Sequence, residues 1–174
     1  MTQNRRLFLF AACTVSAVVL TSMSGCGFHL RGSTPASQIS FDSVYLEATK
    51  GTPLERELRR SILSQSNTTL ATDQKTAAVT LRILSEAQER KILTLNAQGQ
   101  VREYSLIYRI NFEAADKENK KLLNPNELAL QAFLSYSESQ ALAKETEERM
   151  TYDDLRRDAI SQIMRQLSRI KPEQ

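Results

Sequence analysis

The sequence predicts an α+β domain in which about four strands form a mostly antiparallel sheet and two helices pack on one of its faces, in the order β-α-β-β-β-α. Three observations predict it. Apolar residues alternate over long stretches in the middle of the chain, as a half-buried strand requires. A capping signature opens a short stripe of helical period at Thr52. Residues 140–170 contain neither Gly nor Pro and repeat apolar residues every four positions.

Residues 42–48 read as the first strand, with Val44 and Leu46 on one face. Thr52-Pro53-Leu54-Glu55 then supplies a hydroxyl cap, Pro at the first helical position and Glu at the third. The helix predicted over residues 53–65 carries Leu54, Leu58, Ile62 and Leu63 along one stripe, a face to bury. Residues 67–76 are polar and read as a connection. The period then changes to two: Val79, Leu81 and Ile83 alternate with Thr80 and Arg82. Asn96-Ala97-Gln98-Gly99 reads as the turn into the clearest strand, residues 101–114. There Tyr104, Leu106, Tyr108, Ile110 and Phe112 share one face, opposite Glu103, Ser105, Arg109 and Asn111, with Ile107 the exception. Residues 116–121 (DKENKK) read as a charged loop. Leu128, Leu130, Ala132, Leu134 and Tyr136 alternate again as the last strand.

The final helix, residues 140–170, carries Leu155, Ala159, Ile163 and Leu167 on its buried stripe. Glu145, Glu147, Glu148, Asp153 and Asp154 crowd its first half, and Arg165, Arg169 and Lys171 its end. Both biases complement a helix dipole. Pro172 stops it.

The N-terminus has a separate logic. Arg5 and Arg6 precede an apolar run over residues 7–20, and small or neutral residues follow to Gly25. That is the layout of a secretory signal peptide. The apolar run falls short of the roughly 20 residues a membrane-spanning helix needs. Met23-Ser24-Gly25-Cys26 resembles a lipobox, where small residues precede a cysteine that is acylated and becomes the new N-terminus. The alternative is an ordinary signal peptide with a structural cysteine. Cys13, the one other thiol, lies inside the removed segment, so Cys26 would then have no disulfide partner. The expected organisation is residues 1–25 as signal peptide, 26–40 as lipidated N-terminus and tether, and 41–174 as a single domain. Gly27 stands where Asp usually retains a lipoprotein in the inner membrane. The expected address is therefore the outer membrane, with anchoring through acyl chains.

Processing also alters the charge. Loss of Arg5 and Arg6 leaves 21 basic residues against 20 acidic ones, so the net +3 of the full chain falls to about +1. No broad basic field remains to attract nucleic acid, and the tyrosines beside Arg102 and Arg109 fall on the apolar face. Catalysis has little to work with. His29 is the one histidine, three residues from the expected anchor, and no CxxC, HExxH or Gly-rich phosphate loop occurs. Neither a metal nor a cofactor is expected. Lys117, Lys120, Lys121 and Lys144 are candidates for phosphate contacts by charge-assisted bonds, or ordinary solubilising charge.

Three segments carry a family resemblance: Cys26-Gly27-Phe28-His29-Leu30-Arg31-Gly32, Arg102-Glu103-Tyr104-Ser105-Leu106, and Ala141-Leu142-Ala143-Lys144-Glu145 followed by Glu147-Glu148-Arg149-Met150 and Leu155-Arg156-Arg157-Asp158-Ala159. In this order behind a lipobox they resemble the lipopolysaccharide-assembly lipoprotein family, LptE. The resemblance implies two helices on a four-stranded sheet and a non-enzymatic role. Such lipoproteins plug the outer-membrane β-barrel LptD, help it assemble, and assist delivery of lipopolysaccharide, which they bind through basic residues near one end. By position Lys144 is the best-matched binding residue. Some relatives carry an arginine in the turn before the central strand; here Asn96-Ala97-Gln98-Gly99 has no basic side chain. Lys91 and Arg102 are then the cations that would complete a two-point phosphate clamp. The rival reading is a stand-alone envelope lipoprotein that binds peptidoglycan or another envelope ligand.

The lipobox makes the first prediction. Cys26→Ala abolishes fatty-acid incorporation and leaves the precursor uncleaved, because acylation of this sulfur precedes cleavage. Metabolic labelling reads it, and undiminished label in the variant refutes the anchor.

Overall fold

The computed structural model describes residues 39–171. The expectations for Cys26, His29 and the rest of residues 1–38, and for Pro172, lie outside the described residues. The order is β1 (Ser43–Glu47), α1 (Pro53–Leu63), β2 (Thr69–Leu70), β3 (Val79–Leu95), β4 (Val101–Asp116), β5 (Lys121–Ser135) and α2 (Ala141–Arg169). Single 3-10 turns stand at Gln74–Thr76 and Glu138–Gln140.

Two helices on a sheet are present as expected, but the sheet has five strands and is mixed. Its order is β2-β1-β3-β4-β5. β1 runs parallel to both its neighbours, whereas β3, β4 and β5 are antiparallel. The added strand is two residues long, inside the stretch read as a connection. A strand that short shows no period. It is held by hydroxyls: Thr68 Oγ1 and Thr69 Oγ1 donate to the carbonyls of Phe41 and Asp42, each at 3.0 Å. The parallel pairing escaped the sequence reading because alternation is blind to strand direction.

α1 begins as its capping signature requires: Thr52 Oγ1 accepts the Glu55 N–H at 3.2 Å, behind Gly51 at φ +81°. Glu55 pairs with Arg59 one turn on. Leu54, Leu58 and Ile62 are buried, whereas Leu63, beyond the stripe, is exposed. α2 buries Leu155, Ala159, Ile160, Ile163 and Leu167 in the same core. Arg156, itself buried, joins the helices by bonding Glu57 of α1 at 3.1 Å and Asp153 of its own helix.

Two turns of one design build the long hairpins. In the first, Asn96 Oδ1 accepts the N–H groups of Gln98 and Gln100, and Gly99 takes φ +78°. In the second, Asp116 Oδ1 accepts from Glu118 and Lys120, and Asn119 takes φ +64°. Gly and Asn are the residues that tolerate this left-handed position. The loop read over residues 116–121 is thus a tight turn. β5 begins at Lys121 and runs through Pro125, which an edge strand tolerates because one of its sides needs no N–H.

β4 organises the core. Leu106, Tyr108, Ile110 and Phe112 are fully buried against the helices, and Tyr104 packs beside them. β5 matches this face: Leu128, Leu130, Ala132 and Leu134 stand opposite Ile110, Tyr108, Leu106 and Tyr104. β3 does not match throughout. Leu81 and Ile83 face the core opposite Ala114 and Phe112, but Leu84 is bulged out of register. One extra residue reverses the faces that follow. Glu86, Gln88 and Arg90 then stand opposite Ile110, Tyr108 and Leu106, on the helix side. Beyond the bulge that side is polar: Tyr108 Oη donates to Glu86 at 2.6 Å, and Tyr152 Oη to the Glu89 carbonyl at 2.8 Å.

The opposite face carries cross-strand ion pairs. Arg82 bonds Glu47 at 2.7 Å and Glu113 at 2.6 Å, and Arg109 bonds Glu89 and Glu127, each at 2.8 Å. The Arg82 hydrogen bond holds the Glu113 carboxyl below its ordinary 4.5, against the opposing effect of burial, and the charge of Lys121 adds to it.

Two predictions follow from these faces. Leu106→Ala and Ile110→Ala each cost about 2–5 kcal/mol in urea melts, whereas Asn111→Ala, which removes an exposed bond to Ser85, costs far less. Equal losses would mean the faces are reversed. The Glu113 pair adds a pH signature. A carboxyl whose folded pKa is depressed stabilises above its unfolded value and loses that contribution as pH falls through the folded one. Urea midpoints of the wild type therefore drop on acidification below pH 4.5, and Arg82→Gln shows a lower neutral midpoint and a shallower acid decline.

Candidate functional site

The β3–β4 turn, the residues after β5 and the start of α2 meet at one end of the sheet. There the Tyr136 N–H donates to the Arg102 carbonyl at 2.8 Å, and the Tyr104 and Tyr136 rings meet edge-on at 5.2 Å. A polar depression of about 300 Å³ opens between them, lined by Asn96, Gln100, Arg102, Tyr136, Ser137 and Glu138 among others. Arg102 is exposed, and its guanidinium has no ion-pair partner among the described residues. α2 starts beside it at Gln140, with no side-chain cap and no acidic residue in its first turn. The acids expected to complement the dipole begin one turn later, at Glu145. The 3-10 turn Glu138–Gln140 leads directly into α2, where the Ala141 N–H donates to the Glu138 carbonyl, and the positive end of the helix dipole lies at this end of the fold.

Lys144 closes that first turn. Its charge is already engaged: Nζ bonds Ser135 Oγ at 3.1 Å and Glu147 at 2.8 Å, and the side chain is only 14% exposed. Lys91 stands opposite Ser105, on the face away from α2, and pairs with Glu89 at 3.1 Å. Its hydrogen bond, and then that of Arg109, hold Glu89 below the usual carboxylate range. The structure thus brings Arg102 and Lys144 to one end of the fold and leaves Lys91 on the other face. Lys117 and Lys121 lie at the opposite end, in and after the β4–β5 turn, where Lys121 pairs with Glu113 at 3.5 Å.

The sequence reading missed Arg90. Alternation continued from Leu81 would put it outward, like Arg82, and only the bulge at Leu84 turns it towards α2. Its guanidinium lies 4.8 Å from the Tyr104 ring centre and bonds Glu148 at 2.9 Å, so its charge is already engaged. That bond raises the Arg90 pKa further above its ordinary value. Arg90 lines a second depression of about 300 Å³ with Gln88, Glu145, Glu148, Arg149 and Tyr152 among others, where carboxylates balance the cations. Burial, then the bond to Glu86, pushes the Tyr108 hydroxyl far above its ordinary pKa, so it stays a neutral donor. Among the described residues no group of three His, Cys, Asp or Glu side chains could hold a metal, and no helix is long and apolar enough to cross a membrane. The chemistry available at the tip is recognition of an anion by charge and N–H donors.

Known proteins agree on one family. The family model described as lipopolysaccharide-assembly, LptE, matches residues 40–167. The LPS-assembly lipoprotein LptE of Pectobacterium atrosepticum is 27% identical over 173 residues, covering 95% of this chain and 88% of that protein. Its counterpart in Photorhabdus laumondii is 25% identical over 154 residues, covering 87% and 80%. Among solved structures, lipoprotein B of Nitrosomonas europaea superposes with a TM-score of 0.70 at 34% identity, covering 82% of this chain and 90% of that one. The rare lipoprotein B of Shewanella oneidensis has the same fold, with a TM-score of 0.65 at 23% identity, covering 72% and 93%.

Proposed function

We propose, from the premise that this chain belongs to the LptE lipopolysaccharide-assembly family, that it is an envelope lipoprotein that plugs and helps assemble the β-barrel LptD and assists delivery of lipopolysaccharide to the outer leaflet. The match over residues 40–167 carries this reading, because it spans every strand and most of α2. The role is one of binding and scaffolding, with no reaction. Cys26 is the acylated residue that holds the chain in the outer membrane.

Lipopolysaccharide presents phosphates and acidic sugars. The tip offers the unpaired guanidinium of Arg102, the ammonium of Lys144 and the amino end of α2. Arg102 is the first point of contact, since it surrenders no existing ion pair to the ligand. Lys144 contributes by loosening its bond to Glu147, and Lys91 is third because Glu89 already balances it.

Two measurements test the reading. Purified in mild detergent, the tagged lipoprotein brings down the barrel; a chain that runs alone refutes the plug and favours a stand-alone envelope lipoprotein. Arg102→Gln and Lys144→Gln each weaken lipopolysaccharide binding several-fold, more at low salt, where charge is less screened, while Lys117→Gln binds like wild type. Unchanged binding in both tip variants removes them from the site.

A further inference from the structure

We propose that the start of α2, residues 141–151, is a lid of about three turns that lifts from the sheet while the rest of the helix stays packed, uncovering an apolar floor made by Tyr104, Leu106 and Leu134. From Tyr152 onward α2 buries Tyr152, Leu155, Ala159, Ile160, Ile163 and Leu167, whereas residues 141–151 bury no side chain. The inward stripe of this segment is Ala141, Lys144, Glu148 and Thr151, each only half-buried. Its two large apolar residues are turned away, Leu142 82% and Met150 61% exposed. A helix in a protein owes most of its stability to the packing of an apolar face, and these turns have none to pack.

What lies beneath them is apolar. Across the sheet Arg90 stands in register with Leu106 and Ala132, and Ile92 with Tyr104 and Leu134, all on the helix side. Leu106 and Leu134 are buried, and Tyr104 is partly so. The segment crosses this floor between two side-chain links. Glu148 bonds Arg90 of β3 at 2.9 Å, and Lys144 Nζ bonds Ser135 Oγ, at the end of β5, at 3.1 Å. The Lys144–Glu147 pair lies within the helix and ties nothing to the sheet.

An apolar floor is thus roofed by the stems of a lysine and a glutamate. The Arg90 side chain is 50% exposed, and ion pairs that reach water hold little. Arg90 also has its place on the sheet without Glu148, over the Tyr104 ring at 4.8 Å. The held part of the helix begins at Tyr152, whose ring is buried and whose Oη donates to the Glu89 carbonyl at 2.8 Å. Breaking two polar links therefore frees residues 141–151 and leaves the core around Ile163 intact. Openings of this kind, local and cheaper than unfolding, are drawn from the parts of a fold with least buried apolar contact.

Thiol labelling of the full-length mature lipoprotein in detergent micelles tests the lid. Leu134→Cys places a thiol on the floor, and Ile163→Cys places one in the core, on the part of α2 that stays packed. Urea unfolding of each variant gives the labelling that global unfolding alone allows. Leu134→Cys reacts with iodoacetamide many-fold faster than that limit, and Ile163→Cys does not. Salt, which screens the Arg90–Glu148 pair, and Glu148→Gln each speed the Leu134→Cys reaction several-fold and leave Ile163→Cys unchanged. Hydrogen exchange, which needs no substitution on the floor, decides where Leu134→Cys fails to fold. There the amides of 145–151 exchange faster than those of 159–167, and only the first set responds to salt and to Glu148→Gln. A Leu134→Cys thiol that reacts no faster than global unfolding allows, labelling that neither salt nor Glu148→Gln moves, or amides of 145–151 as protected as those of 159–167 overturns the proposal.

Discussion

The two-faced alternation of β4 is the constraint on which the structure rests. This strand is paired along nearly its whole length on both sides, so the direction of its side chains fixes the faces of its neighbours. Leu106, Tyr108, Ile110 and Phe112 can be buried only if both helices lie over that one face, and β5 must present Leu128, Leu130 and Leu134 to the same side. A slip of one residue would send all of these into solvent and turn Arg109 and Asn111 towards the helices. β3 makes such a slip at Leu84, and from there its own contribution to the helix side changes from apolar to charged, while Leu106, Tyr108 and Ile110 of β4 stay buried beside it. The fold therefore has a dry half, where α1 and the end of α2 meet β1, and a polar half, where the start of α2 is held over β3 by Arg90, Glu148 and Tyr152.

How much of this could be read from the residues depends on how local each determinant is. β4 and both helices were legible, because their apolar periods, the cap at Thr52 and the lack of Gly and Pro after Gln140 are contained in the segments themselves. β2 was not, because two residues show no period and its hydroxyl bonds reach back 27 positions to Phe41 and Asp42. The first part of β5 was not, because Asn124-Pro125-Asn126 imitates a turn in a segment that is an edge strand. The bulge at Leu84 was invisible for a third reason: it is a property of two strands in register. Arg90 went unnoticed with it. At the candidate site the positions of Lys144 and Arg102 were legible, but their states were not. The partners of Lys144 are Ser135, from another element, and Glu147, one of several acids within a turn, so its pairing is a fact of packing.

The distribution of charge follows from the same geometry. The sheet face away from the helices is polar but nearly self-neutralised, because Arg82 and Arg109 each sit between two carboxylates on neighbouring strands. The more exposed of these pairs, such as Arg109 with Glu127, contribute little stability individually. They do leave a surface without a strong field of either sign. Against that background one unpaired guanidinium at the tip stands out more than the small net charge of the chain, +3, suggests. Arg102 has no ion-pair partner among the described residues, with Glu138 across the same depression.

The length of the hairpins gives the tip its purpose. The chain enters the described fold at Ile39, and β1 starts alongside the beginning of β3, at the end opposite the β3–β4 turn. β3 is 17 residues long, which at the usual strand rise makes about 55 Å from one end to the other. That exceeds the hydrocarbon thickness of a bilayer, about 30 Å. The long hairpins therefore carry Arg102 and the start of α2 to the end of the fold farthest from where the described chain enters it. At the β1 end α1 and the end of α2 close a dry core, and at the far end the Arg90–Glu148 pair and the Tyr152 bond hold the hairpin under α2 while the Arg102 guanidinium has no ion-pair partner among the described residues.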